Sequence, residues 1–147
     1  MLGRLARYLR LLGYDTSFPP PCPDSRLLGL ARAEGRVLLT RDRGIVERCA
    51  ASPGLPLVVE ISSSEVMSQV EQLVEEGWLT RVLPPRCGDC NTPLQDMDPR
   101  EARHLLPRYT LATQTGCLFC PTCNMALWRG THWDHFITAV LSITRLH

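Results

Sequence analysis

At 147 residues and a net charge of +1, the chain can hold one ordinary domain, or a compact domain of about 80 residues with a small module of about 60 beside it. No global basic field announces nucleic acid, no apolar run reaches membrane-spanning length, and the arginine-punctuated start is not a secretory signal. Seven cysteines, an odd number, suit a reducing compartment better than a disulfide framework, so an intracellular protein is expected.

Along residues 2–12, Leu2, Leu5, Ala6, Leu9 and Leu12 fall on one helical face, and Arg4, Arg7 and Arg10 fall on the other. Gly13 closes that helix. Residues 14–18 alternate briefly like a strand before Pro19, Pro20 and Pro21 break the pattern. Asp24 then reads as the cap of a helix that stops at Gly35. Residues 36–40 form a short apolar run with the look of a buried parallel strand, and Asp42 sits at its carboxyl end. A helical turn or two over 45–51, a second buried strand over 57–61 and a helix over 65–76 follow.

This alternation predicts an α/β fold with a parallel sheet and flanking helices over residues 1–80. Leu83, Pro84 and Pro85 read as a hinge into a β-rich module over 81–147. Within it, 98–106 suggests a short helix, 109–113 an alternating strand, and 133–143 a packed helix.

The module carries Cys87-Gly-Asp-Cys90 and Cys120-Pro-Thr-Cys123, two pairs with the spacing of a tetrahedral zinc site. Asn91 and Asn124, which follow the two pairs, belong to a residue type that tolerates the left-handed conformation expected at the exit of such turns. Cys117 offers a competing partner for Cys120, but Pro121 and Asn124 favour the Cys120–Cys123 turn. Four thiolates leave a zinc ion no open position, so the predicted role is structural.

Chemistry in open α/β sheets gathers beyond the carboxyl ends of the strands, where Asp42 lies and where Asp24 can converge with it across a crossover. Two such carboxylates suit Mg2+ or Mn2+, ions that take oxygen ligands and assist phosphodiester cleavage. Each also has an ordinary reading, Asp24 as a helix cap and Asp42 as turn chemistry. All sixteen basic residues are arginine, the side chain better suited to bidentate phosphate contacts, although Arg4, Arg7 and Arg10 also read as a solvated helix face. His132 and His135 read as packing or surface groups.

The stretch from Met1 to Asp15 (MLGRLARYLRLLGYD), the Asp24-x2-Leu27-Leu28-x-Leu30-Ala31 segment, the run from Gly35 to Asp42 (GRVLLTRD), the cysteine pairs and the run from Trp128 to Trp133 (WRGTHW) together resemble the Mut-7 C-terminal RNase domain over nearly the whole chain. The resemblance implies a PIN-like nuclease fold followed by a zinc ribbon, and metal-dependent cleavage of RNA by acidic residues. It implies Asp24 and Asp42 as catalytic, with Thr40 and Arg41 flanking Asp42 on the substrate side together with Arg4 and Arg7. Cys87, Cys90, Cys120 and Cys123 are the implied zinc ligands. A 3′-5′ exonuclease domain precedes such a domain in some longer proteins. In that family a strand with another acidic residue comes before the opening helix, which here starts at Met1, and Gly44 stands where relatives often carry an acid. A reading of a different class also fits, a noncatalytic nucleic-acid- or protein-binding module stabilised by zinc.

Overall fold

The computed structural model describes residues 2–113 and 116–144. The opening leucine pattern forms α1 (Gly3–Leu11), whose Leu5 and Leu9 are buried together with Leu12 just beyond it. It is followed by α2 (Asp24–Ala33), β1 (Leu38–Thr40), α3 (Arg43–Ala50), β2 (Val58–Glu60) and α4 (Val66–Glu75). β1 and β2 pair in parallel, with Leu38, Leu39 and Thr40 opposite Val58, Val59 and Glu60.

Side chains alternate across this small sheet. Val59 and Ile61 join Leu5, Leu9, Leu12, Val66, Val70 and Leu73 on the α1/α4 face. Leu38 joins Leu28, Ala31 and Ile45 on the α2/α3 face. Each fully buried leucine or valine here contributes about 1.5–3 kcal/mol, so the two apolar faces hold the three layers together.

The second sheet is antiparallel, with order β3 (Gln95–Met97), β4 (Cys117–Cys120), β5 (Met125–Trp128). A short helix, α5 (Arg108–Thr113), covers a separate core of Ala102, Leu106, Cys117 and Ala126. The last helix, α6 (Thr131–Thr144), leaves the ribbon and packs on α4. Its Val140 is wholly buried among the α1 and α4 side chains, and Phe136 meets Tyr8 edge-on with ring centroids 4.5 Å apart.

Four expectations from the sequence are corrected. Residues 14–18 form no strand, because side chains claim their backbone: Thr16 N–H donates to Asn91 Oδ1, the Thr16 carbonyl accepts from Arg10 Nε, and the Asp15 carbonyl accepts from Arg36. Residues 109–113 are helical in α5, while β3 supplies the ribbon's third strand, since a five-residue alternation does not separate the two periods. Residues 98–106 make successive turns, with the Glu101 and Ala102 amides on the Asp98 carbonyl and the Leu105 and Leu106 amides on the Ala102 carbonyl.

The supposed hinge is fastened. Leu83 N–H donates to the Leu12 carbonyl and Arg86 N–H to the Arg10 carbonyl, which also accepts Gly13 N–H, all at 2.9 Å, so the segment is bonded directly to the end of α1. The Tyr14 hydroxyl accepts from the Thr80 and Arg81 amides and donates to the Arg81 carbonyl. Gly13, at φ +91°, makes this close approach possible, because a Cβ there would collide with Leu83 and the Pro84 carbonyl.

Candidate functional site

Two regions carry chemistry. In the ribbon, the sulfurs of Cys87, Cys90, Cys120 and Cys123 all lie within 4.8 Å of one another. Cys87 and Cys123 are 3.9 Å apart and Cys90 and Cys120 3.4 Å. Zinc–sulfur bonds of about 2.3 Å in a tetrahedron place sulfurs about 3.8 Å apart, so the set fits zinc. Among the described residues no other group of three or more potential metal ligands converges in this way.

Both turns have the backbone their sequence demands. Among the described residues, Asn91 and Asn124 are the non-glycine residues with positive φ, at 69° and 52°. Cys123 N–H points at Cys120 Sγ, 3.4 Å away, as expected of a turn that aims amides at a thiolate. Cys117 stands outside the group, its thiol donating to the Met97 carbonyl at 3.3 Å, and burial pushes that thiol up. The alternative pairing of Cys117 with Cys120 is thereby resolved in favour of Cys123.

The protonation pattern shows what a cation would have to do here. Hydrogen bonding to Thr92, through both its hydroxyl and its amide, lowers Cys90 to about 6. Contact with Cys90 is the main cause that pushes Cys123 up to about 12, and burial raises Cys120. One thiolate forms readily and its neighbours resist a second negative charge, until a bound divalent ion compensates all four.

The first cysteine turn is clasped to the α/β body. Arg10, placed by the helical pattern on the solvated side of α1, is instead 8% exposed. Its guanidinium donates to the carbonyls of Thr16, Gly88 and Asp89 at 2.8, 2.8 and 3.1 Å. Asn91 donates to Asp15 Oδ1 at 2.6 Å, and Asp15 also pairs with Arg36. The Asn91 amide, followed by the Arg36 guanidinium, holds the Asp15 carboxyl below its ordinary value. None of these long-range partners is signalled by local spacing.

The second region is the carboxyl edge of β1 and β2. Asp42 is exposed there and caps α3, its Oδ1 accepting from the Gly44 and Ile45 amides at 2.8 and 3.3 Å. Thr40, buried, accepts the Asp42 N–H on its hydroxyl, which fixes the turn between strand and helix. Arg41 is exposed beside it. Glu60, at the end of β2 and opposite Thr40, accepts from Arg43 at 3.0 Å. Sequence reasoning gave Glu60 no role, although its place at a strand end is the signal that singled out Asp42.

Asp24 is the first residue of α2 and not its cap; Pro23 occupies that position and makes no side-chain bond. Its carboxylate lies 3.5 Å from Arg48 of the last turn of α3, whereas Asp42 binds the first-turn amides of the same helix. Among the described residues, no converging group of three or more metal-ligating side chains includes either carboxylate. Arg4 is exposed on α1, and Arg7 pairs with Asp89 at 3.5 Å.

No helix among the described residues is long and apolar enough to cross a membrane. No curated protein and no solved structure matches the chain. A family model does, over residues 1–140, and the chain belongs to the Mut7-C RNAse domain family.

Proposed function

We propose that the chain binds RNA over the carboxyl edge of β1 and β2 and cleaves it in a reaction that depends on Mg2+ or Mn2+. The observation that carries this reading is the position of Asp42. It is exposed at the carboxyl end of a parallel strand, with Oδ1 committed to the α3 amides and Oδ2 without a protein partner among the described residues. In this reading Asp42 and Asp24 are the catalytic carboxylates, Thr40 holds the Asp42 backbone in place, and Arg41, Arg4 and Arg7 receive phosphates. The exposed Arg7–Asp89 pair is worth about 0–1 kcal/mol, so Arg7 can exchange that partner for a phosphate at little cost.

The donor set suits an ion held by one or two carboxylates, waters and the phosphate itself, not an all-protein cage. When bound, such an ion polarises the phosphate and makes water a stronger nucleophile. We read residues 1–80 as the PIN-like catalytic body and 81–147 as a structural zinc ribbon whose last helix is handed back to that body. The working context is intracellular, and an upstream 3′-5′ exonuclease domain in a longer polypeptide is the partner this reading favours.

One observation favours the noncatalytic binding module, namely that Asp24 and Asp42 turn to opposite ends of α3 and join no converging group of metal-ligating side chains among the described residues. Incubation of end-labelled single-stranded RNA with Mn2+ separates the two readings. Cleavage by the wild type that is lost in Asp42→Asn supports the nuclease, whereas intact RNA bound equally by both proteins rejects it.

A further inference from the structure

The segment from Asp98 to Arg103 sorts its charges onto two sides. Asp98 and Glu101, with Asp96, line one cleft of about 460 Å3, which also receives Arg129. Arg100 and Arg103 line a separate cleft of about 330 Å3 with Pro99 and Leu111. The turn geometry of 98–106 produces this division, and Asp98 fixes its start by accepting the Arg100 N–H at 2.8 Å.

Neither Arg100 nor Arg103 has an ion-pair or side-chain hydrogen-bond partner among the described residues, and both are exposed. Arg108 stands three residues before Leu111 on α5 and so shares the helix face that borders this cleft, also without a partner among the described residues. Elsewhere, Arg7, Arg10, Arg36, Arg43, Arg48 and Arg86 are committed to carboxylates or carbonyls, while the other unpartnered arginines of the described residues, Arg4, Arg26, Arg32, Arg41, Arg81 and Arg129, do not line this cleft. Uncommitted guanidiniums over an apolar floor of proline and leucine match a sugar–phosphate chain, with paired N–H groups for phosphate oxygens and apolar surface for a sugar or base.

We propose that this cleft is a second RNA-contact site, on the ribbon, and holds the backbone of single-stranded RNA through Arg100, Arg103 and Arg108. The inference rests on the RNA reading above but not on cleavage. It gives the ribbon a share in substrate binding and accounts for the charge separation along 98–103. The carboxylates are drawn off to the other cleft, which leaves this one without competing negative charge.

The test is fluorescence anisotropy with a labelled oligouridine about 12 nucleotides long, within the span such grooves cover. It uses the zinc-loaded chain carrying Asp42→Asn, so that the measurement is independent of turnover. Arg100→Gln with Arg103→Gln is expected to weaken binding on the order of tenfold and to lower the salt slope of the affinity by about 1.4, for two phosphate contacts on a single strand. Arg100→Lys with Arg103→Lys, which keeps the charge, retains most of the slope. Arg26→Gln with Arg32→Gln on α2 makes the same change in net charge elsewhere and leaves binding nearly unchanged. Unchanged affinity and slope in the Arg100/Arg103 variant overturn the proposal, as does an equal loss in the α2 variant. An oligoglutamate that binds through the same arginines as tightly as the RNA also overturns it, in favour of an acidic protein partner. Zinc content near one per chain in every variant excludes unfolding of the ribbon as the cause.

Discussion

Arg10 donates a 2.8 Å hydrogen bond to the carbonyl oxygen of Gly88, a residue 78 positions further along the chain and inside the first cysteine turn. That bond ties the metal-binding module to the first helix of the α/β body. The carbonyls of Thr16 and Asp89 complete the set of acceptors around the same guanidinium.

Arg10→Ala should therefore lower stability by roughly 2–4 kcal/mol, since charged hydrogen bonds to partly buried carbonyls are lost together. Urea unfolding of the zinc-loaded protein measures this. A change within experimental error of zero would mean that the contact adds nothing to the folded state. Arg10→Lys is expected to recover only part of the loss, because an ammonium cannot span the three carbonyls as the planar fork does.

Gly13→Ala should cost more than a typical helix-end substitution, about 2 kcal/mol or more. The strain has two sources, the positive φ and the collision with Leu83 and the Pro84 carbonyl. Gly35→Ala shares the positive φ but meets open space, so it serves as the comparison and should cost about 1 kcal/mol. Equal losses at the two positions would remove the argument for tight docking of the 83–86 segment.

Cys120→Ser should abolish stoichiometric zinc and unfold the ribbon, whereas Cys117→Ser should keep about one zinc per chain. Elemental analysis of the purified proteins decides between them, and zinc loss in both would reinstate Cys117 as a ligand. Chelator resistance should rise with pH, because binding must displace protons from the sulfurs, including that of Cys123 with its value near 12.

Asp15 makes stability depend on pH in a defined direction. Folding depresses its carboxyl below 3.8, chiefly through the Asn91 amide and then through Arg36. The contribution is present above the ordinary value and is lost as pH falls through the depressed one. The stability difference between wild type and Asp15→Asn should thus be level above about pH 5 and shrink below about pH 4. A difference that grows on acidification would contradict the assignment.

Asp42 combines two roles that substitution can separate. Asp42→Asn keeps a side chain able to cap α3 and should cost only a few tenths of a kcal/mol, while Asp42→Ala should cost about 1 kcal/mol. Both should abolish RNA cleavage. If the asparagine variant cleaves at the wild-type rate, the carboxylate has only the capping role.

What local pattern encodes was readable along the chain. The C-x2-C spacing and the asparagine after each pair specify the turns, and the leucines of α1 specify its buried face. What failed depends on distance. A helical wheel puts Arg10 with Arg4 and Arg7, and the carbonyls of Thr16, Gly88 and Asp89, the last two 78 and 79 positions away, explain why it is buried. The brief alternation of residues 109–113 yielded to helix because β3, from an earlier part of the module, takes the place beside β4. Asp42 was rightly put at the carboxyl end of β1 and Asp24 at the start of α2, although not as its cap, but sequence could not foresee that Arg48 would draw Asp24 toward the far end of α3.

The return of α6 to α4 gives the fold a particular order of assembly. Val140 fills a place among Leu5, Leu73 and Val70, yet the ribbon is synthesised between these residues and the helix that completes their core. Closure of the body during translation must therefore wait until the ribbon has emerged. A metal ion held by the cluster would cross-link Cys87 to Cys123, shorten the chain that has to be brought together and lower the entropy lost in closure. Metal supply during synthesis would then govern the yield of the folded α/β body, although the cysteine cluster lies outside it.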